Sequence, residues 1–310
     1  MSAKIAFVFP GQGSQSIGML AELGAQHAVV TNTFAEASEV LGYDLWELVQ
    51  LDEHNQLSQT HITQPALVAA SVSLWRLWLQ QGGATPILLA GHSLGEYSAL
   101  VCSGALDFAD AIRLVEARGR FMQVAVPSGE GAMAAIIGLD NDVVAGVCKA
   151  SAEDQVVVPV NYNAPGQVVI AGSKPAVERA MVACKESGAR AVMPLPVSVP
   201  SHCELMLPAA EQLRVLLEST KVVMPTIPVV QNVDGKVAGS VNAIVSKLVT
   251  HLIEPVLWTQ CVESIAASGI DLVIECGPGK VLNGLSKRIN KTLQTASINN
   301  AALLAATLEQ

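Results

Sequence analysis

Apolar and polar positions alternate in blocks along this chain, and the block lengths predict its elements. Ile5–Phe9 is a short unbroken apolar run bounded by Lys4 and by Pro10-Gly11-Gln12-Gly13-Ser14-Gln15, as a buried strand followed by a glycine-rich loop would be. A helix is expected from about Ile17. Residues 29 to 50 read as helical with a break at Gly42, and Thr63-Gln64-Pro65 opens a long amphipathic helix to about Gln81, ended by Gly82-Gly83, with Pro65 in the first turn. Pro86–Ala90 is a second buried strand, and Tyr97–Cys102 a short helix stopped by Gly104. Asp107 caps a helix over Phe108–Val124.

The texture then changes. Strands are expected over Gly131–Leu139, Gln155–Tyr162, Gln167–Ala171 and Ala191–Val197, with helices over Asn141–Ala152 and Lys174–Ser187. The order βαββαβ is that of a ferredoxin-like unit, which reads as a small domain over 128–197 inserted into a larger α/β domain made of 1–127 and 198–310. After it come helices over Glu204–Ser219, Val241–Leu252 and Leu257–Ala267. Strands are expected over Val229–Asn232 and Leu272–Glu275, and Gly277-Pro278-Gly279 turns into a helix that carries Lys280, Lys287, Arg288 and Lys291. A cleft between the two domains is a natural place for a site.

Composition narrows the class. The 310 residues are 51% hydrophobic and 15% charged, enough for a large core. A net charge of −9 argues against a nucleic-acid partner. The six cysteines are scattered, without a Cys-x-x-Cys pair, which fits reduced thiols in a cytoplasmic protein and neither a metal site nor a disulfide framework. Met1-Ser2-Ala3-Lys4 leads directly into a strand, so no signal peptide is expected, and no apolar run reaches membrane-spanning length.

The candidate chemistry centres on Gly91-His92-Ser93-Leu94-Gly95-Glu96. Strand, Gly-x-Ser-x-Gly, helix is a nucleophile-elbow arrangement: a sharp turn lifts the Ser93 hydroxyl clear of the sheet and aims the Leu94 N–H at the same spot. The loop at Gln12 lacks the Lys and Ser/Thr of a Walker motif and the G-x-G-x-x-G spacing. It reads as a rigid loop whose Gln12 N–H supplies a second oxyanion donor, or as an ordinary loop. A serine nucleophile needs a base. His92 is too close in sequence to serve, and His27, His54 and His61 lie in stretches that do not point to the site. His202, in Ser198-Val199-Pro200-Ser201-His202-Cys203, is the first candidate and His251 the second. No third, acidic member is evident. Arg118 is ordinarily a surface arginine, but its neighbour Gly119 is unfavourable in mid-helix, so close packing or ligand approach there is implied.

Assembled, these pieces resemble the bacterial malonyl-CoA:acyl carrier protein transacylases over nearly the whole chain. The resemblance rests on Phe9–Gln15, Thr63-Gln64-Pro65-Ala66-Leu67, Gly91–Glu96, Arg118-Gly119-Arg120-Phe121-Met122-Gln123, Pro200-Ser201-His202 and Glu275-Cys276-Gly277-Pro278-Gly279-Lys280. It implies an α/β-hydrolase-like large domain with a ferredoxin-like small one, Ser93 as nucleophile, His202 as base, and backbone donors at Gln12 and Leu94. It implies Arg118 as partner of the malonyl carboxylate. Malonyl-CoA and acyl carrier protein are then the substrates, with no bound cofactor or metal. One position departs: close members usually carry Gln where His251 stands, and the main-chain carbonyl there is thought to orient the base. Because the carrier is acidic and so is this chain, docking needs a local basic patch, for which Lys280, Lys287, Arg288 and Lys291 are the candidate. A serine esterase or thioesterase, with water as acceptor and no carboxylate clamp, and a non-catalytic carrier-docking module are the alternatives.

Overall fold

The apolar run Ile5–Phe9 forms β1, a fully buried strand at the middle of the larger sheet. The computed structural model describes residues 3–197 and 199–309; Met1, Ser2, Ser198 and Gln310 lie outside the described residues. After β1 come α1 (Ala21–Gln26), α2 (Ala28–Leu41), α3 (Leu45–Leu51), α4 (Thr60–Gln80), β2 (Leu88–Gly91), α5 (Gly95–Cys102) and α6 (Phe108–Ala125). The next segment holds β3 (Gly131–Ile137), α7 (Asn141–Ala152), β4 (Val157–Ala164), β5 (Gln167–Ser173), α8 (Lys174–Glu186) and β6 (Ala191–Pro194). The last runs through α9 (Leu207–Ser219), β7 (Val229–Gln231), β8 (Lys236–Val237), α10 (Val241–Thr250) and α11 (Trp258–Ala267). It ends with β9 (Leu272–Glu275), α12 (Val281–Ile289), β10 (Gln294–Ser297) and α13 (Ala301–Leu308).

Two sheets result. The six-stranded one has the order β10-β9-β1-β2-β7-β8, parallel except for the β8 edge. Parallel strands buried on both faces read as continuous apolar runs, as β1, β2 and β9 do. Helices cover both faces, and α4, expected to be amphipathic, is instead buried on nearly every side except its ends, because other helices pack around it as well as the sheet. The four-stranded sheet is antiparallel, in the order β4-β5-β3-β6, with α7 and α8 packed on it over their own core. The small sheet is tied to the loop between α10 and α11: the Tyr162 N–H of β4 donates to Val256 O (2.9 Å), and the Val256 N–H donates back to Val160 O (2.9 Å).

Several expectations change. The long helix begins at Thr60, three residues early, so Pro65 sits inside α4 rather than in its first turn. Thr63 does not cap that helix; its hydroxyl donates back to Gln59 O (3.0 Å) from within it. The first helix starts at Ala21 and not Ile17, and 204–206 is a separate 3₁₀ turn ahead of α9. β6 stops at Pro194, short of Val197. The strands β8 and β10 and the helix α13 have no counterpart in the sequence reading. β10, Gln-Thr-Ala-Ser, is an edge strand with too few apolar positions to signal itself. Lys280 and Lys291 flank α12 rather than lie within it. No helix of the described residues is long and apolar enough to cross a membrane.

Candidate active site

β2 ends at Gly91 and α5 begins at Gly95, leaving three residues for the turn. Ser93 takes φ of +52°, a left-handed conformation that side chains with a Cβ rarely adopt. Packing demands the glycines. A Cβ on Gly91 would lie 1.9 Å from the Gly95 carbonyl carbon, and one on Gly95 would lie 2.1 Å from Phe9 O. The strained turn is held from β7 and the residue just beyond it. The Ser93 N–H donates to Asn232 Oδ1 (2.7 Å), and Asn232 Nδ2 donates to Gly91 O (2.6 Å). The Asn232 N–H in turn donates to Glu96 Oε2 (2.9 Å). The glycine-rich loop after β1 closes in from the other side, where a Cβ on Gly11 would stand 2.5 Å from His92 O.

His202 faces Ser93, with Nε2 2.7 Å from Oγ. It too has a left-handed backbone (φ +66°), fixed by its N–H donating to Leu252 O (3.0 Å). Its Nδ1 lies 2.6 Å from His251 O. A carbonyl only accepts, so Nδ1 carries the proton and Nε2 presents a lone pair to the serine. Burial, then the charge of Arg118, pushes the His202 pKa down to about 3. The ring is therefore neutral and able to accept a proton throughout the neutral range. No carboxylate among the described residues hydrogen-bonds to it.

Arg118 projects from α6 and is 1% exposed. Its Nε and Nη1 are buried without a hydrogen-bond partner among the described residues, and the guanidinium lies 5.5 Å from the Tyr97 ring centroid. Burial lowers its pKa, yet a guanidinium stays charged in proteins. A buried cation with idle donors is costly unless a ligand anion completes it. Gly119 serves a different purpose from approach to a ligand: a Cβ there would lie 2.5 Å from the Cα of His61, so it lets α6 rest against the first turn of α4. Gln64 lies on α4, with Nε2 3.3 Å from Gln12 Oε1 and its own Oε1 unpaired.

The Ser93 and His202 side chains line a cavity of about 120 Å³ with Gln12, His92, Asn161 and Met133, and it shares Gln12, Thr60, Met133, Leu195 and Val197 with an outer cleft of about 730 Å³. The N–H groups of Gln12 and Leu94 make no hydrogen bond among the described residues, and both positions adjoin the serine. The small sheet reaches in through Asn163, whose Oδ1 is 2.7 Å from His92 Nε2, and through Asn161, whose buried Oδ1 has no partner. No group of three or more His, Cys, Asp or Glu among the described residues could hold a metal ion.

Ser93, His202 and Gln12 thus meet at one cavity, and Leu94 follows the serine in the turn, buried and outside the cavity lining. Arg118 is close enough for its charge to reach His202, and His251 supplies its carbonyl. Lys280, Lys287, Arg288 and Lys291 lie apart from them, all exposed, with Arg288 Nη1 donating to Gln167 Oε1 (3.2 Å) across to the small sheet. The sequence reading missed Asn232 and Glu96. Their signals were weak: a polar pair, Gln231-Asn232, at the end of an apolar strand, and one carboxylate in an otherwise apolar helix.

Comparison with known proteins gives the family. The family described as "Acyl transferase domain" matches residues 6–309. The malonyl CoA-acyl carrier protein transacylase of Salmonella typhimurium is 60% identical over 99% of both chains. The acyl carrier protein S-malonyltransferase of Vibrio cholerae is 58% identical and superposes with a TM-score of 0.95, covering 98% of this chain and 99% of its own. A malonyl-transacylase solved in complex with a type II PKS acyl-carrier protein is 57% identical, with a TM-score of 0.98 over 99% of both chains.

Proposed function

The chain belongs to the acyl transferase family, among its bacterial malonyl-CoA:acyl carrier protein transacylases, and on that premise we propose how its residues divide the work. It moves a malonyl group from malonyl-CoA to the phosphopantetheine thiol of acyl carrier protein, a step of fatty acid biosynthesis. The observation that carries the assignment of residues is a buried arginine with unpaired donors within electrostatic reach of a Ser93–His202 contact of 2.7 Å.

Malonyl-CoA enters with its carboxylate on Arg118, whose idle N–H groups bind it by charge-assisted hydrogen bonds. Ser93 Oγ attacks the thioester carbonyl while His202 Nε2 takes its proton. The oxyanion is received by the Gln12 and Leu94 N–H groups, each worth about 3 kcal/mol if such donors behave here as elsewhere. His202 returns the proton to the departing CoA sulfur, leaving malonyl-Ser93. The carrier thiol then gives its proton to His202 and attacks the ester, and the tetrahedral intermediate collapses to malonyl-carrier with reprotonated Ser93. An acetyl group has no carboxylate for Arg118, which leaves the buried cation unpaired and disfavours that substrate.

The large unit, 1–127 and 198–310, is read as α/β-hydrolase-like, and 128–197 as a ferredoxin-like insertion; the βαββαβ order and the strand order of the small sheet support the latter. Lys280, Lys287, Arg288 and Lys291 are the proposed contact for the acidic carrier. A cytoplasmic location fits six free, buried cysteines. No cofactor takes part in the scheme. The deciding experiment is intact mass after brief mixing with malonyl-CoA, with and without carrier protein. The expected result is a malonyl adduct, absent from Ser93→Ala, that discharges onto the carrier. Release of free malonate with little adduct would identify a hydrolase instead, and neither adduct nor turnover a docking module.

A further inference from the structure

The base has no carboxylate in hydrogen-bond contact among the described residues, yet its protonated form is created in a hostile place. His202 is 2% exposed, and Arg118 adds positive charge nearby. The His251 carbonyl offers a dipole but no net charge. A second ring lies on the far side. The His251 imidazole stacks on His202 with centroids 4.7 Å apart and planes tilted by 30°, is itself 1% exposed, and has neither ring nitrogen hydrogen-bonded among the described residues. Its Nδ1 is 3.8 Å from Glu96 Oε2. Glu96 is likewise 1% exposed, and no Lys or Arg forms an ion pair with it among the described residues. Base, second imidazole and carboxylate therefore form one buried row, with the half-buried serine against the base.

We propose that Glu96 is the anionic partner of the base, acting across the ring of His251, and that Glu96 and His251 are positioning residues for His202. This rests on Ser93 and His202 being nucleophile and base. No proton passes beyond His202: the proton from Ser93 stays on Nε2, and the ionised carboxylate, with the intervening ring polarised toward it, stabilises the imidazolium.

The consequence is a pH dependence that His202 cannot supply. His202 titrates far below neutrality, whereas burial raises the Glu96 pKa to about 7 against the hydrogen bonds from Asn232 and Gln231. The other charged or titratable groups facing these residues are Arg118 from α6, His92 from the elbow, Tyr97 from α5, Cys261 from α11 and Lys247 from α10, the last paired to Asp234 at 2.9 Å; burial raises the Tyr97 and Cys261 pKa values, so both stay neutral through pH 7. Below the Glu96 titration the carboxyl is neutral and the imidazolium loses its partner, so acylation slows.

The test is single-turnover acylation of Ser93 by the malonyl thioester of N-acetylcysteamine, which carries no phosphate to titrate, read by quenched intact mass from about pH 5.5 to about 9. The wild type should lose rate on the acid side with a midpoint near pH 7. Glu96→Gln should abolish that limb and run about tenfold slower than the wild-type plateau at all pH values, the effect of a lost charge one ring away. His251→Gln should move the midpoint down, because a carboxamide can donate to Glu96 where the imidazole stands off. A Glu96→Gln enzyme that is slower but keeps the limb has only a loosened elbow and overturns the proposal, as does a wild-type rate that stays flat through pH 7. An adduct that persists in Ser93→Ala would instead overturn the assignment of the nucleophile.

Discussion

Asn232→Ala is the substitution through which the geometry of the elbow can be weighed. The side chain takes one hydrogen bond from the Ser93 N–H and gives one to Gly91 O, at 2.7 and 2.6 Å. Asn232 is fully buried, so truncation leaves a buried carbonyl and a half-buried N–H without partners. Stranding such groups costs roughly 1–3 kcal/mol each, and the half-buried N–H recovers part of its share from solvent, so a loss of about 2–4 kcal/mol is expected. The activity effect is separable. Ser93 is held at φ +52°, a conformation disfavoured by about 1–2 kcal/mol, and the Asn232 bond acts on that residue's own N–H. Without it the turn relaxes toward ordinary φ and Oγ leaves the lone pair of His202. A shift of about 1 Å lowers the acylation rate by about 10²-fold.

Urea denaturation measures the first quantity, and single-turnover malonylation the second. Asn232→Asp should fall at least as far, since it keeps an acceptor for Ser93 but sets a carboxylate against Gly91 O. A variant Asn232→Ala within about 1 kcal/mol of wild type and within about threefold in acylation rate would refute the view that this side chain holds the elbow.

Arg118→Ala should abolish the preference for malonyl over acetyl thioesters, measured as the ratio of kcat/KM values; an unchanged ratio sinks the carboxylate assignment. Gly119→Ala should destabilise by about 1–3 kcal/mol in thermal or urea unfolding even though alanine favours helix, because its Cβ meets backbone atoms of Thr60 and His61 under 3 Å away. Charge reversal at Lys287 and Arg288 should weaken carrier binding at low salt and converge on wild type as salt is raised. Glu275, which accepts from the Leu282 and Asn283 N–H groups at the start of α12, has its pKa raised to about 7 by burial. A raised folded pKa contributes stability that is complete below the unfolded value and lost as pH rises through the folded one. Wild type should therefore lose up to ~3 kcal/mol relative to Glu275→Gln between about pH 4.5 and about 7, and parallel curves for the two proteins would contradict this.

What the sequence could reveal follows from how far apart the cooperating residues are. The elbow is local: the apolar run, the flanking glycines and the short helix all lie within about twenty residues, so periodicity and turn chemistry expose Ser93. His202 was reachable as a histidine in a rigid loop. Arg118 was singled out through its neighbour Gly119, and of the two readings offered there the structure bears out close packing, since Gly119 lies against the first turn of α4 at Thr60–His61. That turn also explains the misplaced helix start: Pro65 suggests a first turn, but α4 already runs ahead of it. Asn232 and Glu96 belong to a different order of information. Asn232 meets Ser93 across 139 residues and Glu96 across 136. What joins them is the pairing of β7 beside β2, which places the polar end of one apolar strand under the serine turn of the other. Neither residue carries a local pattern that demands the contact. A parallel sheet is assembled from separated segments, and its order decides which strand end supports which turn. The serine proposed as nucleophile is thus written in its own neighbourhood, while the groups that hold its turn are specified by the sheet order.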